Sequence, residues 1–153
     1  MITRSLFFGL LLTCVVGSVQ AATDFSGNWV LNTKKGENLG MVAALKQTLI
    51  VTQTDAQLIL DYTNVFQGSA TPRKVTLDLS GAAVDNPAAM GDPSKTESAW
   101  DGDSLVTTWT TEGAIPGTSV TRTETIAPGA DGTMTIATER ANKPTMILVY
   151  EKQ

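Results

Sequence analysis

Residues that turn a chain recur about every ten positions from Asp24 onward, and the stretches between them are rich in Thr and Val. Apolar residues alternate within those stretches, as in Arg73–Leu79 (RKVTLDL), where Val75, Leu77 and Leu79 share one face. This pattern predicts short strands at Phe25–Asn32, Lys46–Gln53, Gln57–Phe66, Arg73–Leu79, Lys95–Asp101, Ser104–Thr111, Ser119–Ala127, Thr133–Arg140 and Thr145–Lys152. A shorter one is expected at Ala83–Asp85. Asp101-Gly102-Asp103 and the PGADG stretch 128–132 read as hairpin turns, because Gly accepts positive φ and Asp tolerates it. The Pro-bearing segments Asn86–Ser94 and Glu112–Thr118 read as loops. Only Glu37–Leu45 has helix-like spacing, with Gly40 weakening it.

A row of short antiparallel strands has two edges to hide, and a meander hides them by pairing its first strand with its last. The last stretch, TMILVYEK, is apolar on both parities, which suits a strand flanked on both sides. The expected fold is therefore all-β: a closed antiparallel up-and-down barrel of about 8–10 strands, with a short helical lid after the first.

The first 21 residues carry Arg4, an apolar run from Leu6 to Val16, and the small-x-small ending Val19-Gln20-Ala21. They read as a secretory signal peptide cleaved after Ala21, which places the protein in the periplasm or outside the cell. The run is shorter than the about 20 residues that span a bilayer, so no transmembrane segment is expected in the mature chain. Cys14 after Leu11-Leu12-Thr13 raises a lipoprotein alternative, against which Thr13 stands. Cleavage leaves residues 22–153 as one expected domain. It also removes the one cysteine, so no disulfide can form even in an oxidising compartment. The sequence holds 11 Lys and Arg against 15 Asp and Glu, a net charge of −4, and no basic run, which argues against nucleic acid as a partner. There is no histidine. Zinc, haem-histidine and Ser-His or Cys-His chemistry are set aside on that ground, and neither catalytic residue, metal nor cofactor is expected. Asp55, Asp101, Asp103 and Asp131 all fall in expected turns, where Asp has a local backbone reason to occur.

FSGNW, residues 25–29, opens the first strand. Gly27 allows a bend or a close approach there, and Trp29, on the same face, supplies an apolar plug for the closed end of a barrel. FSGNWVLN resembles the opening of the calycin superfamily, the lipocalins and intracellular fatty-acid-binding proteins. Trp100-Asp101-Gly102 resembles the WDG of a late hairpin in the fatty-acid-binding branch, and Val149-Tyr150-Glu151-Lys152 resembles its terminal VYEK. Glu37–Leu45 falls where that branch has its helical lid. The chain looks nearest to secreted bacterial lipocalin-like proteins, which also begin F-S-G-x-W. It departs from the fatty-acid-binding branch at Leu148, where the resemblance leads one to expect an arginine two residues before the terminal Tyr.

Arg122 and Glu124 share parity with Val120 and Ile126. Either both charges face the interior, where burial requires a partner or an anionic ligand, or they form a solvated surface pair while Thr121, Thr123 and Thr125 line a wet interior. The resemblance implies an inward arginine on this hairpin. Tyr62, Trp109 and Tyr150 share parity with apolar neighbours and join Arg122 and Glu124 as candidate ligand-binding residues. The resemblance implies a small lipophilic ligand held inside the barrel, entering near Glu37–Leu45 and the loop Asp85–Ser94. A filled barrel acting as a non-enzymatic protein-interaction or cell-envelope module is the alternative.

Overall fold

The structure, a computed structural model, describes residues 22–87 and 93–153. The expected leader, Cys14 and the loop residue Met90 lie outside them. The ten strands are β1 (Gly27–Leu31), β2 (Lys46–Gln53), β3 (Gln57–Phe66), β4 (Ser69–Asp78), β5 (Val84–Asn86), β6 (Ser94–Asp101), β7 (Ser104–Glu112), β8 (Ser119–Pro128), β9 (Met134–Arg140) and β10 (Met146–Lys152). All neighbours are antiparallel, and the order is β4-β3-β2-β1-β10-β9-β8-β7-β6-β5. The first and last strands pair, with Trp29 opposite Lys152, Val30 opposite Glu151 and Leu31 opposite Tyr150. The all-β up-and-down barrel expected from the alternation is thus the fold found.

Among the described residues, the backbone ladder is interrupted once, between β4 and β5, where the two ends of the sheet meet. Asn86 bridges that gap. Its Oδ1 accepts from the Thr76 N–H at 2.8 Å, and its Nδ2 donates to the Thr76 carbonyl at 2.8 Å. Nδ2 also donates to Thr96 Oγ1 at 2.8 Å. A carboxamide carries the donor and acceptor of a peptide group, so one side chain does here what a strand residue does elsewhere. The sequence reading places Asn86 in a loop because Pro87 follows it. The residue instead ends β5 and is 3% exposed. Proline restricts the preceding residue to extended backbone, which a strand end accommodates.

Alternation sorts the side chains. In β2, Gln47, Leu49 and Val51 are buried while Thr48, Ile50 and Thr52 are exposed. The lower half of the barrel, at the end where Phe25 precedes β1, is filled by inward residues of the facing strands, including Leu49, Leu58, Leu60, Val75, Leu77 and Leu105. Each such side chain contributes about 1.5–3 kcal/mol by burial. Trp29 is buried near this end and donates its Nε1–H to the Phe25 carbonyl at 3.0 Å. Phe25 stacks on Trp100, ring centroids 6.1 Å apart. Gly27 has φ +140°, and a Cβ there would lie 2.8 Å from Lys152 Cε. The approach at this glycine is therefore made by the lysine stem, whose Nζ sits 5.3 Å above the Trp29 ring.

Above β1 the chain forms a short 3₁₀ helix, Gly40–Ala44, in place of the broader helical stretch expected over Glu37–Leu45. Gly40 is left-handed (φ +54°), and Leu39 caps the segment without a side-chain bond, so an α-helix has no support here. The segment is tied down on one side. Glu37 exchanges backbone hydrogen bonds with Ile147 of β10 at 2.9 and 3.0 Å, and Asn38 Nδ2 donates to the Thr145 carbonyl at 2.8 Å.

Candidate functional site

The upper half of the barrel encloses a cavity of about 580 Å³ beneath the 3₁₀ segment. Its lining has two chemical sides. Leu39, Val42, Leu45, Ile136, Met146 and Leu148 come from the lid, β9 and β10 and are apolar. Arg73, Arg122 and Glu124 come from β4 and β8 and carry charge, with Gln47, Tyr62, Asn64 and Tyr150 among them.

Arg122 and Glu124 face this interior. They stand two apart on β8, so both point to the same side of the sheet. Arg122 Nε donates to Glu124 Oε1 at 3.1 Å, and each side chain is 21% exposed. Of the two arrangements open at the sequence level, the inward one is found, and Thr123 and Thr125 lie on the opposite face of β8. Ile126 is buried below them, while Val120 is exposed at the rim, where β8 rises past the packed part of the barrel.

Two cross-strand pairs set the guanidiniums in place by the same device. Trp109 on β7 lies opposite Arg122 on β8, whose guanidinium carbon is 4.2 Å from the indole centroid. Tyr62 on β3 lies opposite Arg73 on β4, whose guanidinium carbon is 4.6 Å from the phenol centroid. An aromatic face holds a cation without neutralising it, so the Arg73 charge stays available to an anion, while that of Arg122 is shared with Glu124. Arg73 Nε is buried with no hydrogen-bond partner among the described residues, and the same holds for Trp109 Nε1.

Tyr150 hydroxyl donates to Gln47 Oε1, and Gln47 Nε2 donates to Asn64 Oδ1. Burial pushes the Tyr62 phenol well above the ordinary tyrosine range, helped by the Glu124 charge and opposed by Arg73 and Arg122. Tyr150 is raised mainly by burial, then by Tyr62. Both phenols therefore stay protonated at neutral pH and act as hydrogen-bonding groups.

The structure brings Arg122, Glu124, Tyr62 and Tyr150 to one cavity, and Trp109 to its flank beneath Arg122. Sequence reasoning missed Arg73. The signal was present, since Arg73 shares parity with the inward Val75 and Leu77. At position 148, where the resemblance leads one to expect an arginine, Leu148 lines the apolar side, and Arg73 brings a second guanidinium to the cavity from β4. A smaller notch of about 290 Å³ joins the cavity at the rim, lined by Trp109, Val120, Thr121, Arg122, Arg140 and Lys143. Among the described residues, no three His, Cys, Asp or Glu gather as metal ligands, and no helix is long and apolar enough to cross a membrane.

Among the described residues, ten antiparallel strands surround an interior cavity, with a short 3₁₀ segment after the first strand, and form an up-and-down β-barrel. Solved structures agree on the fold. The wild-type fluorescent protein UnaG superposes with a TM-score of 0.68 at 17% identity, covering 84% of this chain and 97% of that one. A REP1-NXSQ fatty acid transporter superposes with a TM-score of 0.63 at 16% identity, covering 84% and 95%. No family model matches the chain, and a search of curated proteins finds no relative.

Proposed function

We propose that this protein is a non-enzymatic binding module that holds a small lipophilic molecule with an acidic head in the upper half of its barrel. The carrying observation is one cavity of about 580 Å³ that sets an apolar lid and last strands against inward Arg73 and Arg122. Ligand pockets of about 300–1,000 Å³ combine apolar lining with a few placed polar groups in this manner. The acyl part would lie against Leu39, Val42, Met146 and Leu148, and the acid against Arg122 and Arg73, with Tyr62 and Tyr150 as neutral donors. The ligand would enter past the 3₁₀ segment and the rim of β8, where Met41 and Val120 are exposed. One of the similar structures is a fatty acid transporter, and the fold likeness makes a lipophilic ligand the natural class to test here. The leader pattern and the FSGNW opening support a secreted or periplasmic setting and kinship with secreted bacterial lipocalin-like proteins.

Native mass spectrometry of protein purified from its own cell envelope tests the reading. An adduct that fragments to a lipophilic acid is expected. Bare protein that also fails to bind a fluorescent fatty-acid probe would overturn it.

A further inference from the structure

We propose that the ligand's head carries two negative charges, and that the rim notch formed by Arg140 and Lys143 holds the second. This rests on the reading of the cavity as a site for a lipophilic acid and narrows the ligand class within it.

The charge balance of the lining is the first observation. Among the described residues, Arg73, Arg122, Arg140 and Lys143 line the cavity against a lone carboxylate, Glu124, in a chain whose net charge is −4. Glu124 is bonded to Arg122. The three other cations have no carboxylate within ion-pair distance among the described residues. A monocarboxylate leaves two of them unanswered, whereas a dianion answers one more.

The register is the second. Arg122 on β8 lies directly opposite Arg140 on β9. Like charges opposite each other on one face of a sheet destabilise it unless an anion intervenes. The β9–β10 turn then brings Lys143 to the same notch, with Asn142 left-handed (φ +58°) and the Lys143 N–H donating to the Arg140 carbonyl at 3.3 Å. Among the described residues, no acidic one lines that notch.

The third observation is independent of charge. Trp109, 2% exposed, lines the notch, and its Nε1–H has no acceptor among the described residues. A buried indole N–H normally finds one, and an anion's oxygen supplies it. The chemistry that fits is a second carboxylate close to the first, or a phosphate monoester ionised twice.

The test uses dodecanoate, dodecylsuccinate and dodecyl phosphate at pH 8, titrated calorimetrically into the wild-type protein and the R140A/K143A variant. The wild type is expected to bind one or both dianions about tenfold or more tighter than dodecanoate, as added charge-assisted hydrogen bonds imply. Which dianion gains identifies the head. In the variant the preference should shrink to about twofold or less. Equal binding of all three by the wild type overturns the second charge and leaves the acid-binding reading intact. A preference that survives in R140A/K143A overturns the rim assignment. Binding of none removes the acid-binding reading and this inference with it.

Discussion

Asn86 holds Thr76 as a neighbouring strand would: two hydrogen bonds of 2.8 Å run from one side chain to one residue's N–H and C=O. This contact stands at the sole break in the backbone ladder of the described sheet. A break in a barrel exposes edge groups to solvent or to another chain, so the residue that covers it carries more than its own share of stability.

Replacing Asn86 with Ala removes both bonds to Thr76 and the one that Thr96 Oγ1 accepts. It is expected to destabilise the barrel by about 2–4 kcal/mol, since buried groups are left unpaired. Urea unfolding followed by tryptophan fluorescence measures this. A change under about 0.5 kcal/mol, the range of an ordinary surface substitution, would show that the contact is incidental.

Arg122→Ala should weaken binding of a lipophilic acid about tenfold or more, through loss of a charged hydrogen bond inside the barrel. Glu124→Gln should act in the other direction. It keeps the shape and removes the competing carboxylate, and about fivefold tighter binding is expected, or near 1 kcal/mol. Probe displacement on both variants checks the pair. Weaker binding by Glu124→Gln would show that the carboxylate positions Arg122 more than it competes with the ligand.

Alkaline stability follows from the two phenols. The folded state holds the protons of Tyr62 and Tyr150 above their ordinary value of 10.0, so at high pH the unfolded chain binds fewer protons than the folded one. Stability contributed this way is fully present below pH about 10 and is lost as pH rises above it, by up to about 1.4 kcal/mol per unit for each phenol. Chemical unfolding at pH 8, 10 and 11 should show the decline, and Y62F/Y150F should flatten it. These are the chain's two tyrosines, so absorbance at the phenolate band reads both cleanly.

Gly27→Ala places a Cβ on a residue at φ +140° and 2.8 Å from the Lys152 stem. The lysine can move, but the backbone strain stays, at about 1–3 kcal/mol. A lower melting temperature is expected for G27A, and G27A/K152A should recover only a small part of it. Full recovery would assign the cost to the lysine contact instead.

The architecture was largely legible in the sequence because alternation and turn chemistry are local. β2 and β3 match their expected limits, and the apolar character of residues 145–152 pointed to the β1–β10 pairing. β4 was read too short. Ser69–Pro72 lacks apolar alternation, and proline argues against an inner strand. These residues nevertheless pair with β3, because β4 ends the sheet and the turn at Gln67 and Gly68 takes positive φ at both positions. The candidate site was half legible. Parity identified Arg122, Glu124, Tyr62 and Trp109, but parity alone does not say whether a charged residue lies within the barrel or above its rim. Arg73 and Arg140 share inward parity too, and three-dimensional closure is what gathers them with Arg122 around one space. Asn86 was illegible for a different reason: its partner is another strand's backbone, and no local pattern encodes that.

The solid lower half and the hollow upper half are built from the same strands. Most strands thus divide along their length into a stretch that packs the base and a stretch that bounds the open space above it. If that open space holds a guest as proposed, changes near the 3₁₀ segment redraw what is accepted without touching the leucines that fill the base, so across descendants of this chain guest preference is free to diverge while thermal tolerance stays level.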